Sequence, residues 1–158
     1  MTKIMISILL LLNLNLFADL VDDGSTAYNK GDITLANQLY LQACKNGSSR
    51  GCLRSGLLYF TGTDVKQNII KAKKLFVRAC KRSNPEACYY VGLIYKRGEG
   101  GIERNYKRAR TYFAAGCKMR IPKSCKQYDL IRDKREIVGE GNNDHNFSYT
   151  YTTDVYGG

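Results

Sequence analysis

The sequence predicts an all-α fold, an α/α solenoid of about three helical-hairpin repeats, each clipped by one disulfide. Three observations predict it. The six cysteines of the 158-residue chain fall in three pairs, Cys44 with Cys52, Cys80 with Cys88 and Cys117 with Cys125, each 8 residues apart. Their first members recur at intervals of 36 and 37 residues, a period that belongs to stacked helix pairs. Helix-forming signals then repeat in register around every pair.

The first helix of each repeat opens on a side chain able to accept from the unpaired first-turn N–H groups: Asp32, Asn68 or Asn105, twelve residues before the first cysteine. Eight before it stands alanine (Ala36, Ala72, Ala109), four before it an aromatic (Tyr40, Phe76, Phe113), and eleven before it Ile33, Ile69 or Tyr106. At helical spacing these positions form one apolar stripe. A lysine follows each first cysteine (Lys45, Lys81, Lys118), where it suits the negative end of the helix.

Pro85 and Pro122, the only prolines, stand three before the second cysteines, where they fit the first turn of a second helix. Within that helix Gly56 and Gly92 lie four beyond the cysteine, Leu57 and Leu93 five, Tyr59 and Tyr95 seven, and Gly62 and Gly98 ten. A glycine inside a helix costs roughly 1 kcal/mol against alanine, so its recurrence implies that another helix packs closely there. The third copy carries Asp129 and Arg132 in place of the packing glycine and the tyrosine, the polar outer face expected of a terminal repeat. Residues 20–30, closed by Gly31, have room for one more helix at the other end.

A short turn between paired helices brings each cysteine to its partner, and closing so short a loop stabilises by about 2 to 3 kcal/mol on the chain-entropy estimate. Zinc would need four ligands drawn from two pairs a whole repeat apart, and no CxxC occurs. Disulfides are therefore the reading, with neither metal nor cofactor. They demand an oxidising compartment. Lys3, the apolar run Ile4 to Leu12 and the Leu16-Phe17-Ala18 cleavage pattern read as a signal peptide over residues 1–18. The run is too short to span a bilayer comfortably. The expected location is secreted or periplasmic, with no transmembrane segment after cleavage.

This divides the chain into a leader (1–18), a repeat domain (19–135, with repeats at about 31–65, 66–102 and 103–138) and a tail (139–158) expected to be disordered. Charge follows the same divisions. Residues 19–65 hold 4 basic and 5 acidic side chains, residues 66–135 hold 20 and 5, and residues 136–158 hold 0 and 4. The tail also alternates Phe147, Tyr149 and Tyr151 with Ser148, Thr150 and Thr152, a period-two pattern that could add a strand to a partner. The basic surface of the second and third repeats is suited to an acidic protein, a peptide or a cell-wall-derived polyanion. Nucleic acid is not expected, because no recognition motif occurs and the aromatics keep core spacing.

The pattern Ala72-x-x-x-Phe76-x-x-x-Cys80, followed by Cys88-x-x-x-Gly92-Leu93-x-Tyr95 and Gly98-x-Gly100, resembles a Sel1-like repeat, of the TPR-like class. The paired cysteines are similar to those of the Helicobacter cysteine-rich proteins, an exported Sel1-like branch. The resemblance covers roughly residues 20–135 and implies an interaction scaffold whose first helices line a concave surface. For the cysteine-rich branch it also implies penicillin binding and weak β-lactamase activity, which makes β-lactams the rival ligand. No S-x-x-K, S-D-N or K-T-G occurs to supply a serine β-lactamase, and His145 is the only histidine. With every cysteine paired, no thiol nucleophile remains. No catalytic residue is nominated.

The candidate ligand-binding residues lie on the first helices. Asn37, Lys73 and Arg110 stand seven before the first cysteines, and Gln38, Lys74 and Thr111 six before. These positions point away from the alanine/aromatic stripe and form a polar ladder, flanked by Arg78 and Lys107.

Overall fold

The computed structural model describes the backbone of residues 20–138 and the side chains of residues 20–131. The expected leader and the acidic, aromatic tail lie outside the described residues. Seven helices follow one another: α1 (20–29), α2 (Ile33–Lys45), α3 (Ser49–Thr61), α4 (Ile69–Lys81), α5 (Pro85–Arg97), α6 (Tyr106–Lys118) and α7 (Pro122–Val138). Each of α2 to α7 packs on the next in sequence, which is the architecture of a solenoid. No strand occurs among the described residues.

The start signals act as the sequence implies. Asp32, Asn68 and Asn105 each accept a hydrogen bond from the backbone N–H three residues on, at 2.8 to 2.9 Å. Ser48 and Asn84 cap α3 and α5 in the same way, and Pro85 begins α5. Gly62 and Gly98 close α3 and α5 in the left-handed conformation, with φ of 73° and 72°, which an L side chain adopts only at a cost.

Each hairpin turns through one more left-handed residue three beyond the first cysteine: Gly47, Ser83 and Arg120, at φ 108°, 59° and 64°. The following N–H (Ser48, Asn84, Ile121) then donates back to Ala43, Ala79 or Gly116 at 2.9 to 3.1 Å. This is a Schellman closure. The turn sets Cys44 beside Cys52, Cys80 beside Cys88 and Cys117 beside Cys125, disulfide-bonded with Cα separations of 4.5, 4.8 and 4.6 Å. So close a crossing needs small residues alongside, and these positions hold Ala43 with Gly51, Ala79 with Ala87, and Gly116 with Ser124, all buried.

Hairpins are joined to one another by a second device. The mid-helix glycine of one hairpin receives the aromatic ring of the next. A Cβ on Gly56 would meet Phe76 at 2.6 Å, and one on Gly92 would meet Phe113 at the same distance. Gly24 makes the same contact with Tyr40, at 2.6 Å, so α1 is packed as the second helix of a preceding hairpin. Phe76 and Phe113 are fully buried. Around Phe76 an aromatic cluster continues through Phe60 and Tyr90, whose ring stacks on Phe76 at 5.0 Å.

One member of the predicted stripe departs from it. Ile69 is buried beneath the α5–α6 loop at Gly100, and Ile33 and Val65 of the α3–α4 loop both pack on the core around Ala36 and Tyr40, but Tyr106 is exposed. α7 runs for 17 residues where α3 and α5 run for 13. Among the described residues no loop folds back over Tyr106.

Two stability outcomes follow. Gly92→Ala drives a methyl into the Phe113 ring and is expected to destabilise by about 1 to 3 kcal/mol, relieved when Phe113→Leu is added; thermal unfolding of both variants checks it, and a neutral Gly92→Ala would contradict the socket. Ser83→Gly removes the left-handed penalty and is expected to stabilise by about 0.5 to 1 kcal/mol. A lower midpoint in denaturant would contradict that reading of the turn.

Candidate ligand-binding face

α4 lies between α3 and α5 and sends one lysine to each. Lys71 donates from Nζ to the Tyr59 hydroxyl at 2.7 Å, and its ammonium stands 4.1 Å from that ring's centroid. Lys73, two residues on and half-buried, reaches the Tyr95 ring at 5.4 Å. Arg108 of α6 approaches the same ring at 5.5 Å. Each tyrosine is thus bracketed by one group from its own hairpin, seven before the first cysteine, and one from the next hairpin, nine before it. Asn37 completes the pattern for Tyr59, donating from Nδ2 to its hydroxyl at 2.9 Å.

The two rungs differ in depth. Asn37 is buried, and its Oδ1 accepts from Ser55 Oγ at 2.7 Å, with Ser55 wholly enclosed. A continuous hydrogen-bonded chain therefore runs from a buried serine through Asn37 and Tyr59 to an exposed ammonium. Burial pushes the Tyr59 phenol up, but the hydrogen bonds from Lys71 and Asn37 and the Lys71 charge outweigh it, holding the phenol below the ordinary value of 10.0. In the second rung Tyr95 is buried and stacks on Tyr112 at 5.9 Å. Burial and the neighbouring Tyr95 raise the Tyr112 phenol, against the lowering effect of Arg108.

Of the residues expected to form the ladder, Lys73 joins the Tyr95 rung, and Lys74, Gln38 and Lys107 are exposed. Arg110 is half-buried. Asn37 does not project to solvent, because Ser55 and Tyr59 take up its amide. Arg78 lies elsewhere: two turns beyond Lys71, about 10 Å along the helix, it joins Arg82 in donating to the Cys44 carbonyl, at 3.4 and 3.2 Å. Among the described residues no three His, Cys, Asp or Glu side chains converge as a metal site requires.

The description "Sel1 repeat" matches residues 23–48, 49–84 and 85–120. The chain belongs to the Sel1 repeat family. Among solved structures, c5321, a protective antigen present in uropathogenic Escherichia coli strains and displaying an SLR fold, is similar with a TM-score of 0.70 at 17% identity, over 75% of this chain and 26% of that one. A Sel1 repeat protein from Oxalobacter formigenes gives 0.67 at 25% identity, over 75% and 50%. Helicobacter pylori cysteine rich protein B gives 0.60 at 22% identity, over 72% and 90%. The chain thus spans a fraction of the first two proteins, 26% and 50% of their lengths. No curated protein matches it.

The Sel1 matches begin on or within α1, α3 and α5, whereas the disulfides join α2 to α3, α4 to α5 and α6 to α7. Each disulfide therefore ties one matched Sel1 unit to the next or to the helix that follows the last. The residues that sequence reasoning left out of the site are Ser55, Tyr59, Lys71, Tyr95 and Arg108. Their signal was present: the tyrosines share a register with the packing glycines, and Lys71 and Arg108 share the position nine before the first cysteine.

Tyr59 gives the site a spectroscopic handle. Its phenol titrates below the usual range while burial holds Tyr90 and Tyr112 above it. Because the folded-state value is depressed, ionisation of Tyr59 favours the folded form at alkaline pH, and that contribution vanishes as the pH falls through it. In an ultraviolet titration Tyr59→Phe should delete the early part of the phenolate curve, and Lys71→Met should move that part upward. An early limb untouched by both changes would refute the assignment.

Proposed function

We propose that the protein is an exported scaffold that holds a protein or peptide partner by its anionic groups, on the face carrying Tyr59, Lys71, Lys73, Lys74 and Arg108. The observation that carries this is the repeated bracket of tyrosine and cations on successive hairpins. The ion pairs Arg50 with Asp22, Arg97 with Glu99 and Lys123 with Glu86 involve none of these cations. Their charge faces outward, on the segment of the chain where basic residues outnumber acidic ones 20 to 5, and draws an anionic partner at long range. Membership of the Sel1 repeat family favours a protein or peptide over a small molecule.

Export rests on the signal-like residues 1–18 and on three disulfides, which persist in the periplasm or outside the cell. No helix of the described residues is long and apolar enough to cross a membrane. The β-lactam reading lacks comparable support. Ser55 and Ser124 are fully buried, Ser48 Oγ caps α3, and Ser25 Oγ donates to the Val21 carbonyl at 2.9 Å.

An acidic peptide tests the scaffold directly. The oxidised protein on a biosensor should capture a glutamate decamer, with affinity falling as salt rises toward physiological strength. Lys73→Glu, Lys74→Glu and Arg108→Glu together should weaken capture at least about tenfold, since each 1.4 kcal/mol is a factor of ten, while helicity is kept. Capture unchanged by the triple reversal would sink the proposal.

A further inference from the structure

We propose that the Tyr59 hydroxyl and the Lys71 ammonium form a carboxylate-binding site, held in place by Asn37 and Ser55. This rests on the binding reading above and adds the ligand chemistry and the atoms that read it.

The geometry assigns every polar atom of the rung a direction. Tyr59 oxygen accepts from Asn37 Nδ2 at 2.9 Å and from Lys71 Nζ at 2.7 Å. Two donors occupy its acceptor capacity, so the phenolic hydrogen is what it has left to give. Asn37 presents its Nδ2 to Tyr59. Its Oδ1 is claimed by Ser55 Oγ at 2.7 Å, in a pocket where Ser55 has no exposed surface. With Oδ1 facing Ser55 and Nδ2 facing Tyr59, the amide leaves the phenolic hydrogen to be given to a ligand.

The Lys71 ammonium spends one of its three N–H bonds on Tyr59, and its side chain is exposed. A phenol O–H and an ammonium N–H, attached to adjacent atoms of one hydrogen-bonded pair, are matched by the two oxygens of a carboxylate. An alcohol or a neutral amide can accept from these donors but leaves the charge unanswered. Hydrogen bonds to an ionised acceptor are short and about twice as strong as neutral ones. The donor Tyr59 offers is acidified by the same contacts that orient it, which strengthens the bond it gives.

The second rung is built differently. Its cations Lys73 and Arg108 stand over the Tyr95 ring, at 5.4 and 5.5 Å. It supplies positive field beside the first rung, whose hydroxyl and ammonium supply direction. A carboxylate can come from an acidic side chain or from a peptide's free C-terminus, and the site chemistry is the same for both.

Three heptapeptides of one neutral sequence test this on the oxidised protein: one amidated, one with a free C-terminus, and one amidated with a central glutamate. Calorimetry gives the affinities, and amide chemical shifts locate the contact. The carboxylate-bearing peptides should bind with shifts centred on α2, α3 and α4, at least about tenfold tighter than the neutral one. Tyr59→Phe, which keeps the ring and its packing, should weaken them about tenfold. Lys71→Gln should do the same or more, while Tyr28→Phe on α1 serves as the unaffected control. Response to the free C-terminus alone, or to glutamate alone, supports the site and identifies its source.

Equal binding of the neutral amide, or full affinity in Tyr59→Phe, overturns the site. If the glutamate decamer is still captured in either case, the scaffold stands without it; if the decamer too is not captured, both readings fall.

Discussion

The contact on which the rest depends is a phenyl ring seated on a glycine. Gly24 takes Tyr40, Gly56 takes Phe76 and Gly92 takes Phe113, in each case with no room for a methyl. A ring pressed against a helix at a glycine fixes both the separation and the register of the two helices, since a shift of one residue would set a side chain against the ring. Three repetitions of that contact give the array one geometry. Residues at equal offsets from the cysteines therefore meet equal neighbours, and for this reason Tyr59 and Tyr95 are each bracketed from two hairpins. At the next such position the chain carries Asp129, which offers no seat for another ring.

The disulfides have a different task. Helices of 13 residues are marginal on their own in water, and rings on glycines hold hairpins to one another without closing any hairpin. Each disulfide shuts an 8-residue span and so constrains the unfolded chain by about 2.5 kcal/mol. The first is also tied to its neighbour from outside: Arg82, with Arg78, holds the Cys44 carbonyl, and Arg82 Nη1 stands 3.6 Å from Cys52 Sγ. In the third repeat the corresponding positions are Ala115 and Met119, so this clamp is confined to one joint.

Cysteine spacing, caps and apolar stripe made the fold legible, because each is a local signal repeated three times. Gly56 and Gly92 even announced the close contact, although not its ring partners. The site was harder to read for a physical reason. Position seven before the cysteine is one residue from the buried alanine, about 100° around the helix, and so lies at the border of the stripe. Whether such a residue turns in or out depends on what the facing helix offers. Asn37 turns in because Ser55 is there to receive it, and a serine in one repeat of three leaves no periodic trace. Tyr59 and Tyr95 were visible as repeats, but repetition alone reads as packing. Their hydroxyl and ring chemistry emerges only when Lys71 and Arg108 arrive from the following hairpin.

The two rungs show how a regular backbone can carry irregular chemistry. Asn37, seven before the first cysteine, meets Ser55, three beyond the second, and at the same two offsets the later repeats carry Lys73 with Val91 and Arg110 with Tyr128. A buried serine can satisfy an amide, so the first rung can sink a polar side chain and use it to aim a phenol. Valine has no bond to give or take, and an amide buried against it would forfeit a hydrogen bond at a cost of about 1 to 3 kcal/mol. A lysine needs no such partner there and carries its charge over the Tyr95 ring. The first rung thus presents a directed donor and the second a diffuse positive field, with the ring-on-glycine contact the same in both.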